Sequence, residues 1–193
     1  MIGDLPRSVE VNGQKYRIRT DFRDILKILA AFNDPELEDS EKVYVCLLIL
    51  FRDFDTLPMD DLEEAYKVAI RFIDCGTDTK SGKKKKSART MDWEQDESLI
   101  FPAINKVAGQ EVRSMKYVHW WTFMGWFMEI DDGVYSNVLS LRQKKAKGKK
   151  LEKWEREYWI ANKDICVLKT KYSKAELEAQ ERIKEMYGYS GGK

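Results

Sequence analysis

Histidine is almost absent from this chain, and cysteine and proline are sparse: one, three and four residues respectively in 193. With His119 alone, any histidine-based triad or general base has a single possible member. The dispersed cysteines and this one imidazole cannot assemble a typical zinc site. Cys46, Cys75 and Cys166 are odd in number and form no C-x-x-C, so we expect free thiols and a reducing compartment. No G-x-x-x-x-G-K-[ST], G-x-G-x-x-G or G-x-S-x-G occurs. No apolar stretch reaches the roughly 18 residues of a membrane span, and the opening MIGDLPRSVEV has no apolar core of the kind a signal peptide needs. An excess of one charge is missing too. The 34 basic and 33 acidic side chains leave a net charge of +1, which steers the molecule neither to nucleic acid nor to membrane. We therefore expect a protein that is not an enzyme and needs no cofactor or metal.

Apolar residues make up 43% of the chain, enough for a core built from packed amphipathic helices, while 35% is charged. Asn12-Gly13 is a strong two-residue turn signal, because both positions tolerate positive φ. Pairing around it sets Val11 against Gln14, Val9 against Tyr16 and Arg7 against Ile18. The apolar face this creates has to dock on helices, since a lone hairpin is marginal in water. Thr20 or Asp21 caps a helix carrying Phe22, Ile25, Leu26, Leu29 and Phe32, which Asn33-Asp34-Pro35 stops. Asp39 or Ser40 opens a second. Its VYVCLLILF run (43–51) predicts a central helix surrounded by others. A third follows Leu57-Pro58 and ends at Cys75-Gly76.

The segment 77–91 carries almost no large apolar group and reads as a flexible basic loop. Asp92, with Gln95 as capping-box partner, starts a helix in which Pro102 predicts a kink or break. The segment 115–130 predicts one long aromatic helix, ended by Asp131-Asp132-Gly133. A shorter helix through Val138 and Leu141, a basic loop (144–150), and one helical seam of Leu151, Trp154, Tyr158, Ala161, Ile165 and Leu168 follow. Ser173 and Glu176 form a capping box for a polar last helix, and the tail should be disordered. The expected fold is mainly α: a compact multi-helix domain (1–172) with an N-terminal β-hairpin (7–19), then a C-terminal helix and tail (173–193).

His119 lies among aromatics, where a structural imidazole bonded to backbone or carboxylate is the favoured reading. Asp60-Asp61 and Asp131-Asp132 flank helix ends, where capping accounts for them. The basic runs at 83–86 and 144–150 read as solvated loops; contact with phosphates is the alternative, but neither has interleaved aromatics or a recognition helix. The most informative feature is the set Tyr117, Trp120, Trp121, Phe123, Trp126 and Phe127. At about 100° per residue these rings cannot share one face. Either the helix is buried on every side, or part of it is a contact surface for a partner, where Trp and Tyr dominate the energetics.

DWEQDESLIF (92–101), followed at an interval by YVHWWTFMGWF (117–127), resembles the pattern that marks the bacteriophage "gene product fifteen" family: an aromatic then Glu-Gln-Asp, then Leu-His-Trp-Trp. The opening LPRSVEVNGQKYRIRTDFR is similar as well. So is the order of parts: hairpin, helices, an Asp-Cys-Gly stop (74–76), a basic variable loop, then the aromatic half. The resemblance covers residues 5–168, with Val118 where Leu is usual. It implies a part in tail assembly in long-tailed phages of Gram-positive hosts. Genes of the family typically lie between those of the major tail protein and the tape-measure protein, the usual place of chaperones that coat the tape measure before the tube polymerises. The family brings no catalytic residues.

The expected function is accordingly a tail-assembly factor in the host bacterial cytoplasm, a chaperone for the tape-measure or another tail protein. Trp120, Trp121, Trp126, Phe127 and Met124 are the expected partner-binding residues, with methionine lending adaptability. Self-association is a further possibility. The alternatives are a nucleic-acid-binding regulator using the basic runs, and a structural subunit that stays in the virion.

Overall fold

The computed structural model of the protein describes residues 3–77 and 88–187. The basic run at 83–86 and the tail beyond Tyr187 lie outside these residues. Strands β1 (Ser8–Val11) and β2 (Gln14–Arg17) form an antiparallel hairpin. Its turn uses positive φ at both Asn12 (47°) and Gly13 (82°). The register is the expected one, with Val9 opposite Tyr16 and Val11 opposite Gln14. The Ile18 amide donates to the Arg7 carbonyl at 3.1 Å.

The chain leaving β2 becomes a spine for the whole domain. Ile18 bridges to Phe51, and Asp21 bridges to His119. The flanking backbone bonds, Arg19 N to Leu50 O (2.7 Å) and Trp120 N to Thr20 O (2.7 Å), tie two distant segments to one extended strand. The hairpin therefore never stands alone, and Val11, Tyr16 and Ile18 are buried.

Helix α1 (Phe22–Phe32) starts where Asp21 accepts from the Arg23 amide, while its other carboxylate oxygen accepts from Val118 N. One side chain thus caps a helix and fixes the strand beside it. Helix α2 (Asp39–Leu50) begins at a capping box of Glu38 and Glu41. It buries Cys46, Leu47 and Leu50, but Tyr44 stays 55% exposed and Leu48 is exposed too. The expectation of a helix enclosed on all sides is thus corrected: one face is covered, and Phe51 leaves the helix for the bridge to Ile18. Burial pushes the Cys46 thiol up to about 12, as suits an inert core sulfur. Helix α3 (Leu62–Ile73) buries Ala65, Ala69, Phe72 and Ile73.

Helix α4 (Glu97–Ala108) runs unbroken through Pro102. The ring lies on the exposed side, and the helix carries the missing N–H at Pro102 without a break. Gln95 is not the capping-box partner of Asp92. Asp92 accepts from the amides of Glu94 and Gln95, and the return bond, from Asp92 N, goes to Asp96. Helix α5 (Trp120–Met128) has nine residues, far shorter than the aromatic segment. Residues 115–119 stay out of the helix because Val118 and Trp120 bond the spine on either side of His119. Backbone pairing here overrides the apolar pattern.

Helix α6 (Val134–Ala146) is the longer of the two and absorbs Lys144 and Lys145, which the sequence placed in a loop. The expected single seam is two helices, α7 (Lys153–Ala161) and α8 (Lys163–Cys166), divided at Asn162. Its phase is also shifted. Trp154 is 58% exposed while Glu155 is buried, capping α7 through Glu152 N and pairing with Lys144. Helix α9 (Lys174–Tyr187) starts at the Ser173–Glu176 capping box and has no buried residue. No helix among the described residues is long and apolar enough to cross a membrane.

Candidate functional site

Phe123 stands at the centre of the core. It stacks on Phe22 at 4.5 Å between ring centroids and on Trp120 at 5.8 Å, with Phe101 and Trp93 tilted against it at 6.0 and 6.1 Å. Such ring pairs add to their area of burial. Trp120, 1% exposed, is thus a core side chain. Its indole N–H donates to the Ile73 carbonyl at 2.8 Å, and that of Trp121 donates to the Phe72 carbonyl at 2.9 Å. The tandem tryptophans thereby bond two carbonyls at the end of α3, that of Ile73 and that of Phe72, which also accepts from the Cys75 amide.

The stop after α3 belongs to the same joint. Cys75 and Gly76 both take positive φ (56° and 77°). A Cβ on Gly76 would lie 3.3 Å from the Trp121 ring. Only glycine combines that backbone with that approach at no cost.

His119 caps α5, its Nδ1 accepting from the Trp121 amide at 3.1 Å, and its Nε2 lies 2.9 Å from the Pro6 carbonyl. Nε2 therefore carries the proton. Both nitrogens are taken by backbone groups, and the rings of Phe72 and Trp121 lie edge-on beside it. Burial holds its pKa below the usual value, favouring the neutral imidazole. This is a structural histidine. Among the described residues no cluster of His, Cys, Asp and Glu could hold a metal.

The Glu-Gln-Asp motif builds a second joint, which the sequence reading missed. Asp96 and Arg142 form a buried pair, 2% and 6% exposed at their side chains. The guanidinium donates twice to the Asp96 carboxylate (2.7 and 2.8 Å) and also to the carbonyls of Cys166 (2.9 Å), Ile165 (2.6 Å) and Thr90 (3.1 Å). Gln95 exchanges two 2.8 Å bonds with the backbone of Lys169, and Glu94 pairs with Lys171. A signal was available. Asp96, Ile100 and Ile104 are spaced by four on the inward stripe of α4, and Arg142 stands four residues after the core residue Val138.

What remains for contact is one edge of α5 and the turn after it. Trp121, Met124, Trp126 and Phe127 are half-buried against the core, and Met128 is 68% exposed. Two residues further on, Ile130 enters a groove of about 380 Å³ between α4 and the α5–α6 turn, lined by Leu99, Pro102, Ala103, Val107 and Val134. Pro102, puzzling as a helix residue, forms part of its wall. The aromatic segment is thus divided, with Trp120 and Phe123 holding the core and Met124, Trp126, Phe127 and Met128 bordering solvent. Of the basic run at 144–150, Lys144 pairs with Glu155, and the Lys145 ammonium sits 4.2 Å from the centre of the Trp159 ring. Both are occupied by the fold.

No curated protein and no solved structure gives a significant match to the chain. A family model does: the one described as Bacteriophage Gp15 protein matches residues 1–168. That span holds the hairpin, the tandem-tryptophan joint and the Asp96–Arg142 pair, and stops one residue short of the Lys169 backbone that Gln95 pins. The chain belongs to the bacteriophage Gp15 family.

Proposed function

We propose that the protein is a phage tail-assembly factor, a chaperone that binds the tape-measure protein in the host cytoplasm before the tail tube polymerises. The observation that carries this reading is the apolar edge of α5 continuing into the groove beside α4. An elongated, helical, aggregation-prone client needs a cover of adaptable apolar surface, and a helix laid into a groove is a common way to supply one. Met124 and Met128 lend such a surface the plasticity to accept varied segments. His119, the one residue suited to acid–base work near neutral pH, is engaged at both nitrogens in holding α5.

Co-expression with the tape-measure protein tests the proposal. Wild-type chain should keep that protein soluble and co-purify with it. Met128→Asp and Val134→Asp, both at exposed positions, should abolish co-purification while leaving the melting temperature unchanged. Unchanged tape-measure solubility with and without the wild-type chain would end the chaperone reading.

A further inference from the structure

On the spine's other side, around the start of β1 and the end of β2, lies a polar depression of about 350 Å³. It is lined by Arg7, Arg17, Arg52, Ile18, Thr20 and Tyr117. Three guanidiniums converge on it, and only one is neutralised. Arg17 holds Asp53 through both Nε and Nη2 at 3.1–3.2 Å. Arg7 and Arg52 make no ion pair with any described residue. Arg52 spends only its Nε, on the Ile18 carbonyl at 3.3 Å, which fixes the guanidinium and leaves both Nη groups open. At the floor, Thr20 Oγ1 and the Tyr117 hydroxyl share a hydrogen bond at 2.7 Å. One of the two hydroxyls has a proton to give. The depression therefore has two surplus positive charges, unspent N–H forks and a hydroxyl floor.

We infer that this depression is a carboxylate-binding site, which takes an acidic side chain of a second polypeptide. Guanidinium forks match carboxylates two bonds at a time, as Arg17 and Asp53 do here. The surroundings favour a discrete carboxylate over a run of phosphates. Asp53, paired with Arg17 at the rim, already spends one of the three charges, so the two left suit one carboxylate better than a run of phosphates. Thr20 and Tyr117, which border the site from other elements, are neutral. The site is separate from the apolar groove beside α4, so a client could engage both, with contact area from one and register from the other.

The test uses the full chain and three probes: a fluorescein-labelled hexaglutamate peptide, a labelled twelve-residue oligothymidylate and inorganic phosphate. Anisotropy is read at low salt, and the side-chain Nε–Hε resonances of arginine are followed by NMR. The peptide should bind, shift the Arg7, Arg17 and Arg52 resonances, and weaken at least tenfold in Arg7→Gln/Arg52→Gln. Arg7→Gln alone, which breaks no bond in the fold, should weaken it severalfold. Lys149→Gln should leave it unchanged. No binding of the peptide at low salt, binding indifferent to both arginine variants, or oligothymidylate or phosphate binding tighter than the peptide at these arginines, would each overturn the assignment.

Discussion

Arg142→Met tests whether a buried ion pair ties α6 and α8 to the start of α4. Methionine keeps the apolar stem of the side chain and removes the charge and every donor. Five bonds disappear, two to Asp96 and one each to Thr90, Ile165 and Cys166. The loss leaves the Asp96 carboxylate, 2% exposed, without its counter-charge. Removing one partner of a buried pair costs about 3–5 kcal/mol. That is a large share of the roughly 5–15 kcal/mol by which a domain is stable. Urea unfolding followed by tryptophan fluorescence should show the unfolding free energy falling by that amount. Asp96→Asn strands the guanidinium in the opposite sense. In the double variant neither charge is left alone, so the combined loss should fall short of the sum of the single losses by about 2 kcal/mol. Hydrogen exchange should show α7 and α8 losing protection before α1 does, because Arg142 holds the carbonyls at the end of α8. A free-energy loss under 1 kcal/mol, or strict additivity in the cycle, would refute this account of the joint.

The Tyr16 hydroxyl is buried with no hydrogen-bond partner among the described residues, so Tyr16→Phe should raise stability by about 1 kcal/mol; a drop of that size would reveal a missed partner. His119 is held below its ordinary pKa of 6.5 in the folded chain, first by burial. Its contribution to stability is therefore fully present above pH 6.5 and is lost as pH falls through the depressed folded value. Urea midpoints between pH 7.5 and 4.5 should show a one-proton slope that His119→Gln removes; an unchanged slope in the variant would assign it to other groups. Gly76→Ala forces a Cβ to 3.3 Å from Trp121 at φ 77° and should cost about 1–2 kcal/mol, with a shifted tryptophan emission. Wild-type stability there would show the joint to be loose.

Much of the fold could be read residue by residue. The hairpin register followed from Asn12-Gly13 and strict alternation, a signal that is local and therefore readable. Asp21 as a cap and the Cys75-Gly76 stop are local in the same way. The failures share one cause, which is long-range pairing. Residues 115–119 look helical by composition, yet their backbone is claimed by the spine at Thr20 to Phe22. The phase of α7 was misread because Trp154 looks like a core residue and Glu155 does not, until Lys144 on another helix is placed beside it. Asp96 and Arg142 are 46 residues apart; the spacing by four marks each as facing inward, but nothing local pairs the one with the other. The candidate surface was half legible. The aromatic segment was the right segment, but only the structure separates Trp120, which is core, from Met124, Trp126, Phe127 and Met128 at the border with solvent. The exposed Pro102 and Val134 of the groove wall carry no signal that sequence alone provides.

The central claim is that the chain works through contact area at the α5 edge and groove. It is tested most directly by placing a photo-crosslinking amino acid at position 128 and, as a control, at position 48 on the exposed apolar face of α2. Each form is expressed in the bacterial host together with the phage's tail proteins. The account predicts an adduct with the tape-measure protein from position 128 and little from position 48. Equal adducts from both positions, or none with any tail protein from position 128, would contradict it.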